Sequence, residues 1–515
     1  MKIHNIIKFA ILTILFFTIY LSFSQNWPKI YGDGIQAYGK EILEYYDAGY
    51  VICGSILNNG EVFEYGWLIK TDINGNIIWD CKFGDASYEN YFSDFDKTPD
   101  NGLIISGSTA QQDIEQDPLF VKLNTCGEIE WCKIFLRDGF NTASGIVSLP
   151  NGEYIGMIQY FGGQKQPERI SLVKMDSIGE PIWIKHLAQE DSTIFNEEAF
   201  NLYYTPDNNL LVTGVCFRPS LKPLFIKTDL FGNQLWDLAW PVGSGGFAGQ
   251  SVFLTNDIIY NASHLKFPGH PKVPYLLKFN ENGEVLDQYP LMGDTIDVGG
   301  AGPILKYNDS ILFTGTTWMY DNSSWEGFCD ILKIDTLGNP LSLRRLIDDT
   351  NPPTSIIKSH DEKVITIGTF AVDGNWDIYL WKMNSDLEDD TLYTQPITYD
   401  SLCPHQILSD TVDLDCSLFV NIDEIPTKEE YESTIKISPN PARDWIALTL
   451  PDNVSSGDIE LGIYNIFGQE VLKREVIPTD RMISLNISSL SFGLYIAVCK
   501  DQKNRMLKGK FIVKR

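Results

Sequence analysis

Seven lysines recur along the chain at nearly constant spacing. They are Lys70, Lys122, Lys174, Lys227, Lys278, Lys333 and Lys382, separated by 52, 52, 53, 51, 55 and 49 residues. Each sits in the same kind of segment: LIKTDINGNIIW at 68–79, PLFVKLNTCGEIEW at 118–131, ISLVKMDSIGEPIW at 170–183 and PLFIKTDLFGNQLW at 223–236 are the clearest. Weaker copies begin at 274, 330 and 378. Glycine follows the lysine by five in six copies, at Gly75, Gly127, Gly179, Gly232, Gly283 and Gly338. Tryptophan follows it by nine in four, at Trp79, Trp131, Trp183 and Trp236. A period held over this many copies marks a repeat architecture, in which each unit buries its apolar face against its neighbours.

A second element lies upstream of each lysine. TPDNGLIISGS at 98–108 is matched by DAGYVICGS at 47–55, TPDNNLLVTG at 205–214, NDSILFTGT at 308–316 and DEKVITIGT at 361–369. Each is a turn followed by a short β-branched run. With one strand before the turn and two around the lysine–glycine hairpin, a repeat supplies about four antiparallel strands, the content of a propeller blade. The fold expected is all-β: a seven-bladed β-propeller over 25–394. Leu68, Ile77 and Ile78 are expected between blades, with Trp79 capping the outer strand. NWPKIYG at 26–32 resembles WDCKFG at 79–84 and competes with LEDDTLYT at 387–394 to complete the last blade. Asp72, Asn74 and Asn76 also resemble the start of a calcium loop. Position 74 becomes Cys126, Ile178, Phe231, Asn282, Leu337 or Ser385 in the other copies. Ligands would not vary so, and the segment reads as scaffold.

On these motifs, residues 25 to 394 resemble the exported repeat propellers of Bacteroidetes-type bacteria. Quinone-dependent dehydrogenase propellers use a related signature, with glycine and tryptophan four and eight residues after aspartate. Asp72, Gly75 and Trp79 give three and seven, and the vicinal cysteine pair of that family is absent.

After a polar linker over 395–434, the character changes. Short alternating strands from ISPNPARDW at 437–445 to GKFIVKR at 509–515 suggest a small β-sandwich over 435–515. This segment is similar to the type IX secretion sorting domain. Pro439, Asn440 and Pro441 are its opening, Gly468 ends its middle strand, Gly493 and Tyr495 form its Gly-x-Tyr element, and Lys510 and Lys514 lie in its basic terminal strand. The resemblance implies the type IX machinery as a partner, passage across the outer membrane, removal of this domain, and attachment to surface lipopolysaccharide. Asp-(Ser/Thr)-apolar triplets resemble O-glycosylation sites of exported Bacteroidetes proteins, and Ser401 and Thr411 are the most accessible of them.

The N-terminus agrees with export. Lys2 and Lys8 precede the apolar run FAILTILFFTIYLSF at 9–23, and Ser22 and Ser24 suit cleavage of a signal peptide over 1–24. Residues 25–434 carry 26 basic and 60 acidic residues, a charge of −34, whereas 435–515 carry +4. Such a body repels phosphate backbones, so nucleic acid is not an expected partner. Of nine cysteines, Cys403 and Cys416 are the expected disulfide, with Cys126 and Cys132 a weaker pair. No GxSxG, HExxH, Walker or zinc-ligand spacing occurs, so the sequence designates no catalytic, cofactor-binding or metal residue. The glycine-rich runs at 243–250 and 297–303 read as close backbone packing near the channel. Glu190, Asp191, Glu197 and Glu198 cluster as calcium ligands could, but the run reads as a solvated loop in preference to a calcium site. The reading is a non-catalytic surface module for a protein or glycan, against an alternative of a glycan hydrolase or lyase with paired carboxylates at the channel mouth. Two facing carboxylates in an apolar pocket would favour the enzyme.

Overall fold

The computed structural model describes residues 27–514 apart from 33–35, 112–114, 137–138, 161–168, 188–196, 219, 242–243, 254–256, 268–271, 292–298, 320–326, 349–350, 373, 421–432, 451–458, 466–469, 479–480 and 501–505. The segment expected as a signal peptide lies outside these residues. Strands are the only regular elements among the described residues. Two compact units are present, one ending at Asp423 (Ile182–Ile184 aside) and one over Glu424–Arg515.

In the larger unit the described residues form seven sheets, each built on four antiparallel strands; six run in meander order, the seventh takes its fourth strand from the N-terminus, and sheets 1 and 2 gain a fifth, parallel strand. Sheet 1 runs Gln36–Glu44, Tyr50–Leu57, Tyr65–Thr71 and Ile77–Phe83. Sheets 2 to 7 open with Asn90–Lys97, Asn141–Ser148, Glu197–Tyr204, Ser244–Phe253, Gly299–Lys306 and Pro353–Lys358. Each sheet packs on the next, and the seventh on the first, which is a propeller-like all-β arrangement. The second and third strands are buried on both faces, as the continuous apolar runs require. The fourth strand of sheet 7 is Lys29–Tyr31, paired antiparallel with Asn375–Met383. The N-terminal strand therefore takes the edge for which 387–394 competed, and that stretch adds only an isolated Met383–Asp389 bridge.

The repeated letters have physical reasons. Two residues after each lysine stands Asp or Asn, and its side chain accepts hydrogen bonds from backbone amides inside the turn. Asp72 Oδ1 accepts from Asn74 and Asn76, both at 2.8 Å. Asp176, Asp229 and Asp335 do the same in sheets 3, 4 and 6. This carboxylate oxygen is spent on the turn, so the calcium-like spacing is an Asx turn. The glycine at plus five has φ of 74° at Gly75 and 79° at Gly179, where a side chain is strained. A methyl group at Gly179 would also lie 2.8 Å from the Trp131 ring, and one at Gly283 2.9 Å from Trp236. The tryptophan of one sheet thus packs on the hairpin glycine of the next. Trp131 Nε1 and Trp236 Nε1 then donate to Ser177 O and Glu281 O of those hairpins, at 3.0 and 2.8 Å. Trp27, before the N-terminal strand, makes the same approach to Gly75 across the closure.

Lys70, Lys122, Lys227 and Lys382 are buried and the other three are partly buried. Five of the seven ammonium groups reach toward the turn between the first two strands of their own sheet: Lys70 to Asp47 at 2.5 Å, Lys122 to Asp100 at 3.0 Å, Lys174 to Glu153 at 2.7 Å, Lys227 to Asp207 at 2.5 Å and Lys382 to Asp361 at 3.0 Å. Desolvating a cation is costly unless it is paired, so lysine and acidic turn persist together. The worn copies depart: Lys333 takes Asp386 at 3.1 Å, and Lys278 lies over the Tyr260 ring.

Two expectations need correction. Leu68 is buried, but Ile77 and Ile78 are 48% and 37% exposed, because they begin the outer strand ahead of the stretch that the later strap covers. The disulfides join Cys126 to Cys403 and Cys132 to Cys416, in place of Cys403 to Cys416 or Cys126 to Cys132. The cause is the path of the segment after sheet 7. Tyr399 OH accepts from Ile73 N at 3.0 Å, and Asp400 N donates to Asp47 Oδ2 at 2.9 Å. Asp410–Val412 then pairs in parallel with Ile77–Phe83, and Ser417–Val420 with Ile129–Leu136. Half of the expected linker is thus a strap across the outer edges of sheets 1 and 2, and it delivers each cysteine to a different partner in sheet 2. Leu414, within the strap, is buried against the core of sheets 1 and 2.

The smaller unit contains a five-stranded and a three-stranded sheet around its own core, including Ile446, Leu448, Leu461, Tyr495 and Phe511.

Candidate functional site

Each first strand of sheets 1 to 7 is interrupted by a bulge at the same place, between Gly39 and Glu41, Phe92 and Asp94, Ala143 and Gly145, Ala199 and Asn201, Ala248 and Ser251, Ala301 and Ile304, and Pro353 and Ser355. A bulge inserts an unpaired residue and re-aims its side chain. Lys40, Ser93, Ser144, Phe200, Gln250 and Thr354 are thereby set around one cavity of about 760 Å³, lined from all seven first strands. The glycine-rich runs serve this close approach: a methyl group at Gly249 would lie 2.3 Å from Ala262 O, and one at Gly302 3.0 Å from Pro353 O.

Neighbouring first strands are stitched by side chains. Asp94 Oδ2 accepts from Ile146 N at 3.0 Å, and Asp96 Oδ2 from Ser148 N at 2.9 Å. Ser144 Oγ donates to Ala199 O at 3.3 Å, Tyr203 OH accepts from Ser251 N at 2.9 Å, and Ser355 Oγ donates to Glu41 Oε1. The carboxyl groups gather on sheets 1 and 2. Burial pushes Glu41 up to about 8, with the Asp94 charge adding to the shift. Burial likewise pushes Asp94 up to about 7 against the amide bonds that hold it down, and raises Asp96. Burial raises the Tyr203 phenol as well. Sequence reasoning missed all four residues. The bulge that groups them leaves no letter in the sequence, and one Glu among sixty acidic residues carries no mark.

The remaining acidic candidates and the histidines resolve separately. Glu197 is neutralised by Arg218 at 2.5 Å, and Glu190 and Asp191 lie outside the described residues. His186 Nδ1 is 2.7 Å from Ser171 Oγ, His360 Nδ1 2.6 Å from Glu44, and His405 3.3 Å from Glu128. Burial pushes His264 down to about 3, so it is a neutral packed imidazole. His270 lies outside the described residues. Ser401 and Thr411 are exposed on the strap.

In the smaller unit the Pro-Asn-Pro turn is clamped to the terminal strand Met506–Val513. Asn440 accepts from Ile512 N at 2.9 Å and donates to Lys510 O at 3.1 Å, while Ala442 N donates to Ile512 O at 2.8 Å. Tyr495 stacks on Phe511 at 5.7 Å and donates to Ser491 O. Lys510 and Lys514 are exposed, and Gly468 lies outside the described residues. Residues 436–514 match the family described as secretion system C-terminal sorting domain. The sorting domain marks the chain as a type IX secreted protein, handled by that machinery and carried across the outer membrane to the surface or beyond. No curated protein matches the chain. Among solved structures it is similar to a protein of unknown function from Bacteroides caccae, at TM-score 0.37 and 12% identity, covering 60% of this chain and 99% of that one. It is also similar to puromycin hydrolase, at TM-score 0.45 and 10% identity, over 81% of this chain and 60% of that one. YCF48 bound to a D1 peptide gives TM-score 0.41 and 10% identity, over 71% and 97%. None of these likenesses bears on ligand or reaction.

Proposed function

We propose that this chain is a secreted or cell-surface protein built as a seven-bladed β-propeller over 25–394 and a small β-sandwich over 435–515, and that it is a non-catalytic binding or adhesion module for a protein or glycan. The observation that carries this reading is the cavity. All seven first strands line it, and its volume of about 760 Å³ falls in the roughly 300–1,000 Å³ range of ligand sites. Its carboxylates are engaged in holding the wall: Asp94 and Asp96 tie sheet 2 to sheet 3, and Glu41 ties sheet 1 to sheet 7. Removal of the signal peptide, removal of the sorting domain, attachment to lipopolysaccharide and O-glycosylation at Ser401 and Thr411 belong to the same reading. An intact mass equal to the bare polypeptide would remove the last of these.

One observation favours a second reading, that of a glycan hydrolase or lyase. Glu41 and Asp94 come from neighbouring sheets, and both are held above the usual carboxylate range, as an acid–base pair would be. The secreted protein, screened on glycan and protein arrays and then incubated with whatever it binds, separates the two. The binding reading expects retention without new reducing ends or unsaturated products. Turnover that disappears in both Glu41→Gln and Asp94→Asn would replace it with the enzyme.

A further inference from the structure

The cavity wall is chemically lopsided, and this bears on what fits inside. Its acidic side is formed by Glu41 of sheet 1 with Asp94 and Asp96 of sheet 2. The opposite side, from sheets 4 and 5, presents Phe200 and the Gln250 amide. Phe200 is the bulged residue of its strand, and its ring remains 38% exposed beside Phe247, 6.0 Å away between centroids. An exposed phenyl on a polar concave wall wants the apolar face of a guest. Gln250 Nε2 reaches across to Thr354 O only at 3.4 Å, a weak bond that a better acceptor can displace. Ser93 and Ser144 add hydroxyls between the two sides.

Resting on the reading of the cavity as the ligand site, we propose that its occupant is the end of a neutral glycan, a hydroxyl-rich chain free of carboxylate or sulfate. A sugar ring offers a C–H face for Phe200 and a rim of hydroxyls for carboxyls, amides and serines. A carboxyl group serves hydroxyls in either protonation state, as acceptor when ionised and as donor and acceptor when protonated. Glu41 and Asp94 lie close enough to neutrality to use both. An anionic sugar meets a wall whose three carboxyl groups gain negative charge as they ionise, within a body of charge −34, and only Lys40 and Lys97, both exposed, oppose them on the wall. Like-charge juxtaposition of this kind excludes ligands efficiently.

The test uses the full secreted protein on an array pairing neutral oligosaccharides with their uronate and sulfated counterparts at pH 7 and pH 9, with Phe200→Ala, Gln250→Ala and Glu41→Gln alongside and thermal melting as the folding control. The proposal expects neutral glycans to bind and acidic counterparts to bind at least tenfold more weakly. Phe200→Ala and Gln250→Ala should each lose tenfold or more with unchanged melting, and Glu41→Gln should leave the neutral-to-acidic gap unchanged at pH 7, where Glu41 is mostly protonated, and narrow it at pH 9, where the native carboxyl is ionised. Preference for acidic glycans that is still lost in Phe200→Ala overturns the neutral class and leaves the cavity as the site. Glycan binding unchanged in Phe200→Ala and Gln250→Ala overturns the cavity itself. A protein ligand with no glycan bound overturns the glycan class.

Discussion

Lys70 shows what the repeat is made of at the scale of a residue. Its side chain is wholly buried, its ammonium sits 2.5 Å from Asp47, and the Tyr45 ring lies 4.4 Å away. Burial lowers its pKa while Asp47 acts to restore it. Asp47→Asn leaves that cation without its partner and should cost about 3–5 kcal/mol in urea unfolding. Lys333 pairs with the largely exposed Asp386, and Asp386→Asn should cost less than about 1 kcal/mol. Equal effects would mean that the buried pair does not hold the repeat together. Glu41 gives a second residue-scale prediction. Its folded pKa of about 8 lies above the ordinary value near ~4.3, so the folded state binds the extra proton between them. Its contribution is fully present below the ordinary value and is lost as pH rises through the raised one. Stability should fall over that window, with Asp94, Asp96, Lys40, Lys97 and the Ser355 hydroxyl around the group. Glu41→Gln should flatten the slope in melts taken at stepped pH, and an unchanged slope would place the titration elsewhere.

The strap is the element whose role is most easily tested. Peptide mapping without reduction should recover Cys126 linked to Cys403 and Cys132 linked to Cys416; a Cys403–Cys416 peptide would contradict the path described. Each bond closes a loop of more than 270 residues, and losing one should cost about 2–4 kcal/mol, with earlier protease cleavage after Leu402. The elements also show what was legible beforehand. The turn–strand and lysine–glycine units were readable because Asx turns, positive-φ glycines and buried pairs each demand particular letters. The stretch 26–32 was readable as a candidate outer strand because it repeats 79–84, but the competing 387–394 left the closure open. The disulfide partners were not, since they follow from an edge-strand addition that any short extended segment could make. Ile77 and Ile78 misled because an apolar pair at the start of an edge strand looks like core. Glu41 and Asp94 stayed hidden because their meaning depends on a bulge and on the neighbouring sheet.

The whole molecule joins a body of charge −34 to a basic sorting domain. The sorting domain folds around its own core, with Asn440 fastening its opening turn to the terminal strand. A chain lacking 435–515 should keep its body and fail to leave the cell, which fractionation would show as periplasmic retention; normal arrival at the surface would refute the sorting role. The proposed ligand site of the body is its central cavity, and filling that cavity tests the proposal most directly. Ser144→Cys places a thiol on the cavity wall, and Ile78→Cys places one on the outer edge of sheet 1. After labelling both with the same bulky maleimide, binding to the array ligand is measured by titration. The account predicts that label at Ser144→Cys abolishes binding and label at Ile78→Cys leaves it intact; full affinity with the cavity blocked would contradict it.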